Sequence, residues 1–315
     1  MTTPVENETL LFQRAYRLTV ISAQDNSQAV LQEHHMEASI EFTSSSKSST
    51  KDHHKIKIYN ASPDIVQQFR KEKVSVQLQA GYLFDGVVRT YDELPLIYVG
   101  EVVRTEVKRK GDDIVTLLHC SFLSAILTQD PPRFSAKFGV NTPRSSILER
   151  IASSYRSVVT NLSVVVDLGD KDRDIQREMS FGGMPGTLLD DWCNNWGAIW
   201  YQENKTIYIV DKDKKSLISD SIAFNVEQER VIGTVNFVKD ITQSTSTTKH
   251  DLVQFEVFLE GRIKLGDIVN IKTTENGVES LGSYTVDSIS HKLSLYGTAW
   301  HTSVEASKDN ATGTT

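Results

Sequence analysis

Residues 265–307 read LGDIVNIKTTENGVESLGSYTVDSISHKLSLYGTAWHTSVEAS, three strand patterns in succession with turn residues between them. Apolar or β-branched residues recur nearly every second position in Ile268, Val269 and Ile271, in Tyr284, Val286 and Ile289, and in Trp300, Thr302 and Val304. Each segment can therefore bury one face of a sheet, and together they read as the closing half of a small β-barrel. No nucleophile or metal-ligating set accompanies them, which points to a task in assembly.

The same period of two returns across the first part of the chain. Met36, Ala38, Ile40 and Phe42 alternate with Glu37, Ser39 and Glu41, and Val74, Val76, Leu78 and Ala80 alternate toward a turn at Gly81. Strands are expected at Arg14 to Ala23, Met36 to Phe42, Lys55 to Tyr59, from Val74, at Leu96 to Glu106 and at Asp113 to Ser121, six in all, the last two joined by Lys110-Gly111-Asp112. Ser62 and Pro63 open one short helix, because serine accepts from free backbone N–H groups and proline at the first helical position forfeits no hydrogen bond. The polar run TSSSKSSTKDHH at 43–54 is a long loop.

The period changes after Gln129-Asp130-Pro131-Pro132-Arg133, where consecutive prolines interrupt regular structure. Thr142 and Pro143 start a helix with Ile147, Leu148, Ile151 and Tyr155 on one face. A second helix runs from about Pro185 to Asn195, carries Leu188, Leu189, Trp192 and Trp196 on one side, and ends at Gly197. A hairpin, AIWYQENKTIYIVD, follows. From about Lys212 the strand period resumes through Ser221 to Val226, Thr234 to Asp240 and Asp251 to Leu259, broken by the polar loop QSTSTTKH at 243–250. The expected fold class is mainly β with an α+β insertion: two tube-like β-barrel domains at 1–125 and 212–305 flanking a small α/β domain at 126–211, and a disordered tail at 306–315.

Composition narrows the function. The chain has 315 residues, 39% hydrophobic and 24% charged, ordinary for a globular protein with more than one domain. Its 34 basic and 41 acidic residues give a net charge of −7, opposite in sign to the footprint of a protein that grips phosphates, so stable nucleic-acid binding is not expected. Cys120 and Cys193 sit in separate apolar runs and suggest buried thiols, neither a disulfide framework nor a zinc site. The start MTTPVENETLLFQRAYRL lacks a signal-peptide pattern and no run of apolar residues is long enough to span a bilayer, so a chain made in a cytoplasm without a membrane anchor is expected.

Candidate chemistry is sparse. His34-His35 and His53-His54 tempt as metal ligands, but neighbouring strand side chains point to opposite faces, and solvated loop histidines are the expectation. Asp167, Asp170, Asp172 and Asp174 imitate the start of a calcium loop, yet Ile175 stands where its glycine belongs and Phe181 where its last glutamate belongs. Gly182-Gly183-Met184-Pro185-Gly186 precedes a helix without the residues of a P-loop or dinucleotide fingerprint. Trp192, Trp196, Trp200 and Tyr201 would suit a sugar platform or, better, a core. His291 alternates with Ile289 and Leu293 and fits a hydrogen-bonded core histidine. No catalytic, cofactor-binding or metal residues are assigned, no cofactor is expected, and the chain is not expected to be an enzyme.

Asn60 to Pro63, Ala80-Gly81-Tyr82, Val99-Gly100-Glu101, Phe181-Gly182-Gly183, IKLGDIVNI and GSYTVDSISHKLSLYGTAWHTSVEA together resemble, in order and spacing over residues 14–305, the baseplate hub proteins of phage tails, the late-control-D-like hubs of contractile tails. The acidic loop FDGVVRTYDELP is longer than in a minimal hub. The resemblance implies a homotrimer in which each chain supplies two tube-like barrels. Its pseudo-hexameric ring would join a hexameric tail tube to a trimeric central spike and leave a channel for DNA or a tape-measure protein. It also implies other baseplate partners and a place in the virion after assembly in the host cytoplasm. A tail-associated peptidoglycan hydrolase, motivated by the acidic residues and the aromatic cluster, and a host-surface binding module, for which a glycan signal lost on mutating Trp200 would be evidence, are the alternatives.

Overall fold

The structure, a computed structural model, describes residues 13–22, 24–25, 27–43, 54–83, 90–121, 133–157, 159, 161–203, 205–211, 224–225, 231–239, 251–275 and 278–308. The first part contains β1 (Gln13–Ser22), β2 (Gln28–Leu31), β3 (Met36–Thr43), β4 (His54–Tyr59), α1 (Pro63–Phe69), β5 (Val74–Leu83), β6 (Leu96–Lys110) and β7 (Asp113–Ser121). The middle part contains β8 (Phe134–Phe138), α2 (Arg144–Ser153), β9 (Ser163–Asp167), β10 (Met179–Gly183), α3 (Pro185–Trp196), β11 (Ala198–Glu203) and β12 (Thr206–Asp211). The last part contains β13 (Phe224–Asn225), β14 (Val231–Lys239), β15 (Asp251–Phe258), β16 (Ile268–Glu275), β17 (Val278–Ser294) and β18 (Trp300–Lys308).

The chain is mainly β with a small α/β segment, as its periodicities indicate. Strands of the first and last parts pair in one path, β14-β15-β18-β17-β3-β4-β7-β6-β5-β1-β2, with β16 beside β17 and β13 beside β16. The two expected barrels are thus joined through β3 and β17, and among the described residues no pairing closes either one. The join has a plain cause. β3 uses one edge on β4 and the C-terminal half of β17 uses one edge on β18, so each has free N–H and C=O groups that the other satisfies, from Ser288 opposite Thr43 to Ser294 opposite Glu37.

Local chemistry fixes the individual elements. Ser62 caps α1 by accepting from the Ile65 N–H, Pro63 occupies the first turn, and Phe69 is buried where the carbonyl of its own residue accepts from Thr105 Oγ1 at 3.0 Å. Asn60, at φ 52°, donates from its side chain to Asp113 and accepts from the Ile114 N–H, fastening the β6–β7 turn to the start of α1. Gly197 ends α3 at φ 69°, a left-handed position that glycine adopts without a Cβ penalty. In the Leu265-Gly266-Asp267 turn the Gly266 N–H donates to Val286 O, the Val286 N–H to Asp267 O, and the Lys264 N–H to the Asp267 carboxylate, which locks the entry of β16 against β17.

Some expectations shift. Among the described residues the first part has seven strands, β2 being the one its sequence does not announce, and Ala306–Lys308, assigned to the tail, belong to β18 with Ala306 fully buried. Loop residues 44–53 and 243–250, the acidic loop's 84–89, the proline break at 129–132, the strand assigned to 221–226 apart from 224–225, and the tail from 309 lie outside the described residues.

Candidate assembly surface

The residues flagged for chemistry are dispersed into structural roles. His35 stacks on Tyr59 with ring centroids 4.1 Å apart, and the His34 carbonyl accepts from Tyr16 Oη at 2.7 Å. His53 lies outside the described residues, and His54 corrects the loop expectation: it opens β4, is buried, and its Nδ1 accepts from the Glu41 N–H at 3.2 Å in place of a ladder carbonyl. Asp172 caps α2 by accepting from the Ser145 N–H and hydroxyl at 2.9 and 2.6 Å, while Asp167 accepts from the Gly169 N–H. No group of three His, Cys, Asp or Glu able to hold a metal occurs among the described residues. Gly182 and Gly183 end β10 and lead into α3 through Met184.

Trp196, Trp200 and Tyr201 are buried, with Trp192 packed between Phe181 and Trp196 at 4.9 and 5.0 Å. Trp200 Nε1 donates to Asp190 at 2.8 Å, and burial still pushes the Asp190 carboxyl above the ordinary range. The cluster is a core between α3 and β11 and presents no open platform. Cys120 and Cys193 are free and buried, and burial raises both thiols far above their usual range, which leaves them as inert apolar groups.

At the join, the inner face carries a row of rings: Tyr98, His54, Phe42 and His291 follow one another at 4.6, 6.1 and 5.8 Å. His291 is buried, with Nδ1 2.9 Å from Thr302 Oγ1, and burial depresses its pKa from 6.5 to about 3. The folded state therefore keeps this imidazole neutral while the unfolded chain takes up a proton below pH 6.5. Its contribution to stability is complete above the unfolded value and is lost as pH falls from 6.5 toward 3, by about 2 kcal/mol at pH ~5. Unfolding midpoints measured from neutral to acid pH should fall in the native chain and fall less in His291→Gln.

The outer face of the same join is exposed and charged. β4 reads His54-Lys55-Ile56-Lys57-Ile58-Tyr59, and the run His291-Lys292-Leu293-Ser294-Leu295-Tyr296 begins in β17, the same pattern of polarity on both sides of β3. Lys55 and Lys292 both stand opposite Ser39, and Lys57 and Ser294 both stand opposite Glu37. Lys57 Nζ pairs with Glu37 at 2.8 Å and Tyr59 Oη donates to Glu37 at 2.9 Å. A groove of about 430 Å³ opens over these residues and is walled by the 297–299 turn, which Arg14 holds by donating to the Ser294 and Gly297 carbonyls. Neither His-Lys run marks this surface in the sequence, because the two gain meaning only when both flank one strand.

Three solved structures align over most of the chain. The tail protein of prophage MuSo2 from Shewanella oneidensis gives a TM-score of 0.60 at 10% identity, covering 94% of this chain and 97% of its own. A tail protein from Neisseria meningitidis gives 0.60 at 10% identity, with 93% and 97% covered. An E. coli component of the type VI secretion system, described as similar in structure to T4 bacteriophage tail proteins, gives 0.52 at 11% identity, with 87% and 72% covered. The chain shares their fold. No protein-family model and no curated protein matches the sequence, and no helix among the described residues is long and apolar enough to cross a membrane.

Proposed function

We propose that the chain is a structural component of a phage-type tail baseplate, and within it the hub. The observation that carries this is the correspondence of nearly the whole chain, β parts and α/β segment together, with tail proteins of two prophage or bacterial sources. A shared fold does not by itself assign a role, but the surfaces point the same way. Strands from each end of the chain are joined in one sheet, and His54, His291, Asp167, Asp172, Trp196 and Trp200 serve as hydrogen-bond partners, caps and core.

In the hub reading, segments 1–125 and 212–305 each supply one tube-like unit, segment 126–211 decorates the ring, and three copies present six units around a channel. That duplication would meet a hexameric tail tube on one side and a trimeric spike on the other, with a tape-measure protein or DNA passing through the lumen. Among the path's outermost strands, β2 at one end and β14 at the other have one partner each among the described residues, which leaves backbone groups for pairing between copies. Assembly in the host cytoplasm and residence in the virion baseplate follow from the same reading.

Mass photometry of the purified chain, alone and with a candidate spike, should give a species at about three times 35.3 kDa, and electron microscopy should show a central channel. A persistent monomer in the presence of the spike overturns the hub assignment. Neither a hydrolase nor a glycan-binding role gains an observation: no carboxylate pair is singled out among the described residues, and Trp200 is engaged by Asp190 in a core.

A further inference from the structure

We propose that the outer face of β3 is a docking track for an extended acidic segment of a partner protein, with a carboxylate held over Ser39 between Lys55 and Lys292 and an apolar side chain four residues away resting on Tyr296. This goes beyond the hub reading and stands whether or not that reading holds.

The placement of charge carries the first half. Lys55 and Lys292 occupy the same register on the two neighbours of β3, both opposite Ser39, so their Cα atoms lie two strand spacings apart, about 10 Å. Both side chains leave the same face of the sheet as Ser39 and are long enough to reach one group held above its hydroxyl, while the exposed Glu41 one pleat further along β3 bounds the positive charge to this point, an arrangement that fits a single carboxylate better than a chain of phosphates. Both lysines are exposed, and among the described residues neither has an ion-pair partner, whereas Lys57 beside them is already engaged by Glu37. The net charge of −7 opposes any extended polyanion, so the occupant that the two lysines match is a protein segment with one carboxylate at this point and neutral residues beside it.

The aromatic end carries the second half. Tyr296 is 73% exposed and meets His35 edge-on at 5.2 Å, and His35 is in turn stacked on Tyr59, whose hydroxyl is fixed by Glu37. An exposed tyrosine braced from behind is pre-organised for contact, the kind of residue that anchors interfaces. Residues 35 and 39 are separated by four positions, and an extended partner advances at about the same 3.3 Å per residue as the strand beneath it. A segment lying along β3 therefore brings an acidic residue over Ser39 and an aromatic or aliphatic residue, four positions removed, onto Tyr296. Glu37, midway, disfavours a second acidic residue between them.

Fluorescence anisotropy at low salt with the full chain tests this. The probe is a labelled peptide with glutamate and tryptophan separated by three neutral polar residues. The comparison ligands are the same peptide with glutamine for glutamate, the same peptide in reversed order, and a short single-stranded DNA of equal label. We expect saturable binding of at least one peptide order that weakens about tenfold in Lys55→Gln/Lys292→Gln and with the glutamine peptide. Tyr296→Ala should weaken both the acidic and the glutamine peptide, and Lys137→Gln, on β8 away from the join, should change neither. Absence of peptide binding, equal binding of the glutamine peptide, or tighter binding of DNA with the same lysine dependence overturns the proposal. So does a changed oligomeric state of the lysine variant without peptide binding, since that would place a second copy on the track. Circular dichroism confirms that the exposed substitutions leave the fold intact.

Discussion

Gly100→Ala is expected to lower the unfolding midpoint by several degrees, at a cost of roughly 1–3 kcal/mol or more. Gly100 sits in β6 opposite Val76 of β5, and a Cβ placed on it would press into the Tyr98 phenol and lie 2.7 Å from the Ser121 carbonyl oxygen. Neither neighbour can yield cheaply. Tyr98 is fully buried in the ring row beside His54, and Ser121 O is backbone at the end of β7. The absent side chain thus makes room for the ring that fills the core two residues earlier on the same strand. The companion measurement is Tyr98→Leu alone and together with Gly100→Ala. Residues in contact are not additive, so the double variant should lose less than the sum of the two singles, because the smaller side chain frees part of the space the methyl needs. Additive losses, or an unchanged midpoint in Gly100→Ala, would refute this account of the Val99-Gly100-Glu101 pattern.

That pattern illustrates which parts of the molecule were legible in the sequence. Where one strand's own alternation or one helix's own cap decides the outcome, the residues suffice: Met36 to Phe42 form β3, Ser62 and Pro63 start α1, Lys110-Gly111-Asp112 turns between β6 and β7, and Gly197 ends α3. β2 escaped because Gln28–Leu31 is only four residues long with Leu31 alone fully buried, too short to display a period. β9 escaped for a different reason. Its burial alternates only between exposed and half-buried, and its partner β12 is parallel and some forty residues further on, so no adjacent turn announces it.

Partner choice at long range was the larger loss. The pairing of β3 with β17 joins residues about 250 positions apart, and nothing local in either strand names the other, since each has the same alternating grammar as its neighbours. His54 was misjudged for the same reason: its loop-like prefix is local, whereas the Glu41 N–H it accepts from and the Tyr98 ring beside it come from β3 and β6. The candidate docking surface is a pairing consequence in full, for the His54–Tyr59 and His291–Tyr296 runs become one site only because β3 lies between them.

Lys171→Met is expected to destabilise the α/β segment by about 3 kcal/mol, toward the lower end for breaking a buried ion pair because the lysine keeps some access to water. Its Nζ lies 2.6 Å from Asp211, whose side chain is 5% exposed, and 2.9 Å from the Gly197 carbonyl that it caps. One ammonium therefore ties the end of β12, the C-terminus of α3 and the turn after β9. Removing it strips a buried carboxylate of that partner and an α3 terminus of its cation, where the helix dipole also favours positive charge. The thermodynamic cycle separates these effects. In Lys171→Met/Asp211→Asn the buried negative charge is gone together with the ammonium that faced it, so stability by denaturant titration should return part of the way toward the native value, the remainder including the lost contact to Gly197. If the double variant is as unstable as Lys171→Met, the carboxylate was not the source of the loss, and the lost contact to the Gly197 carbonyl together with the packing of the lysine stem would have to supply it.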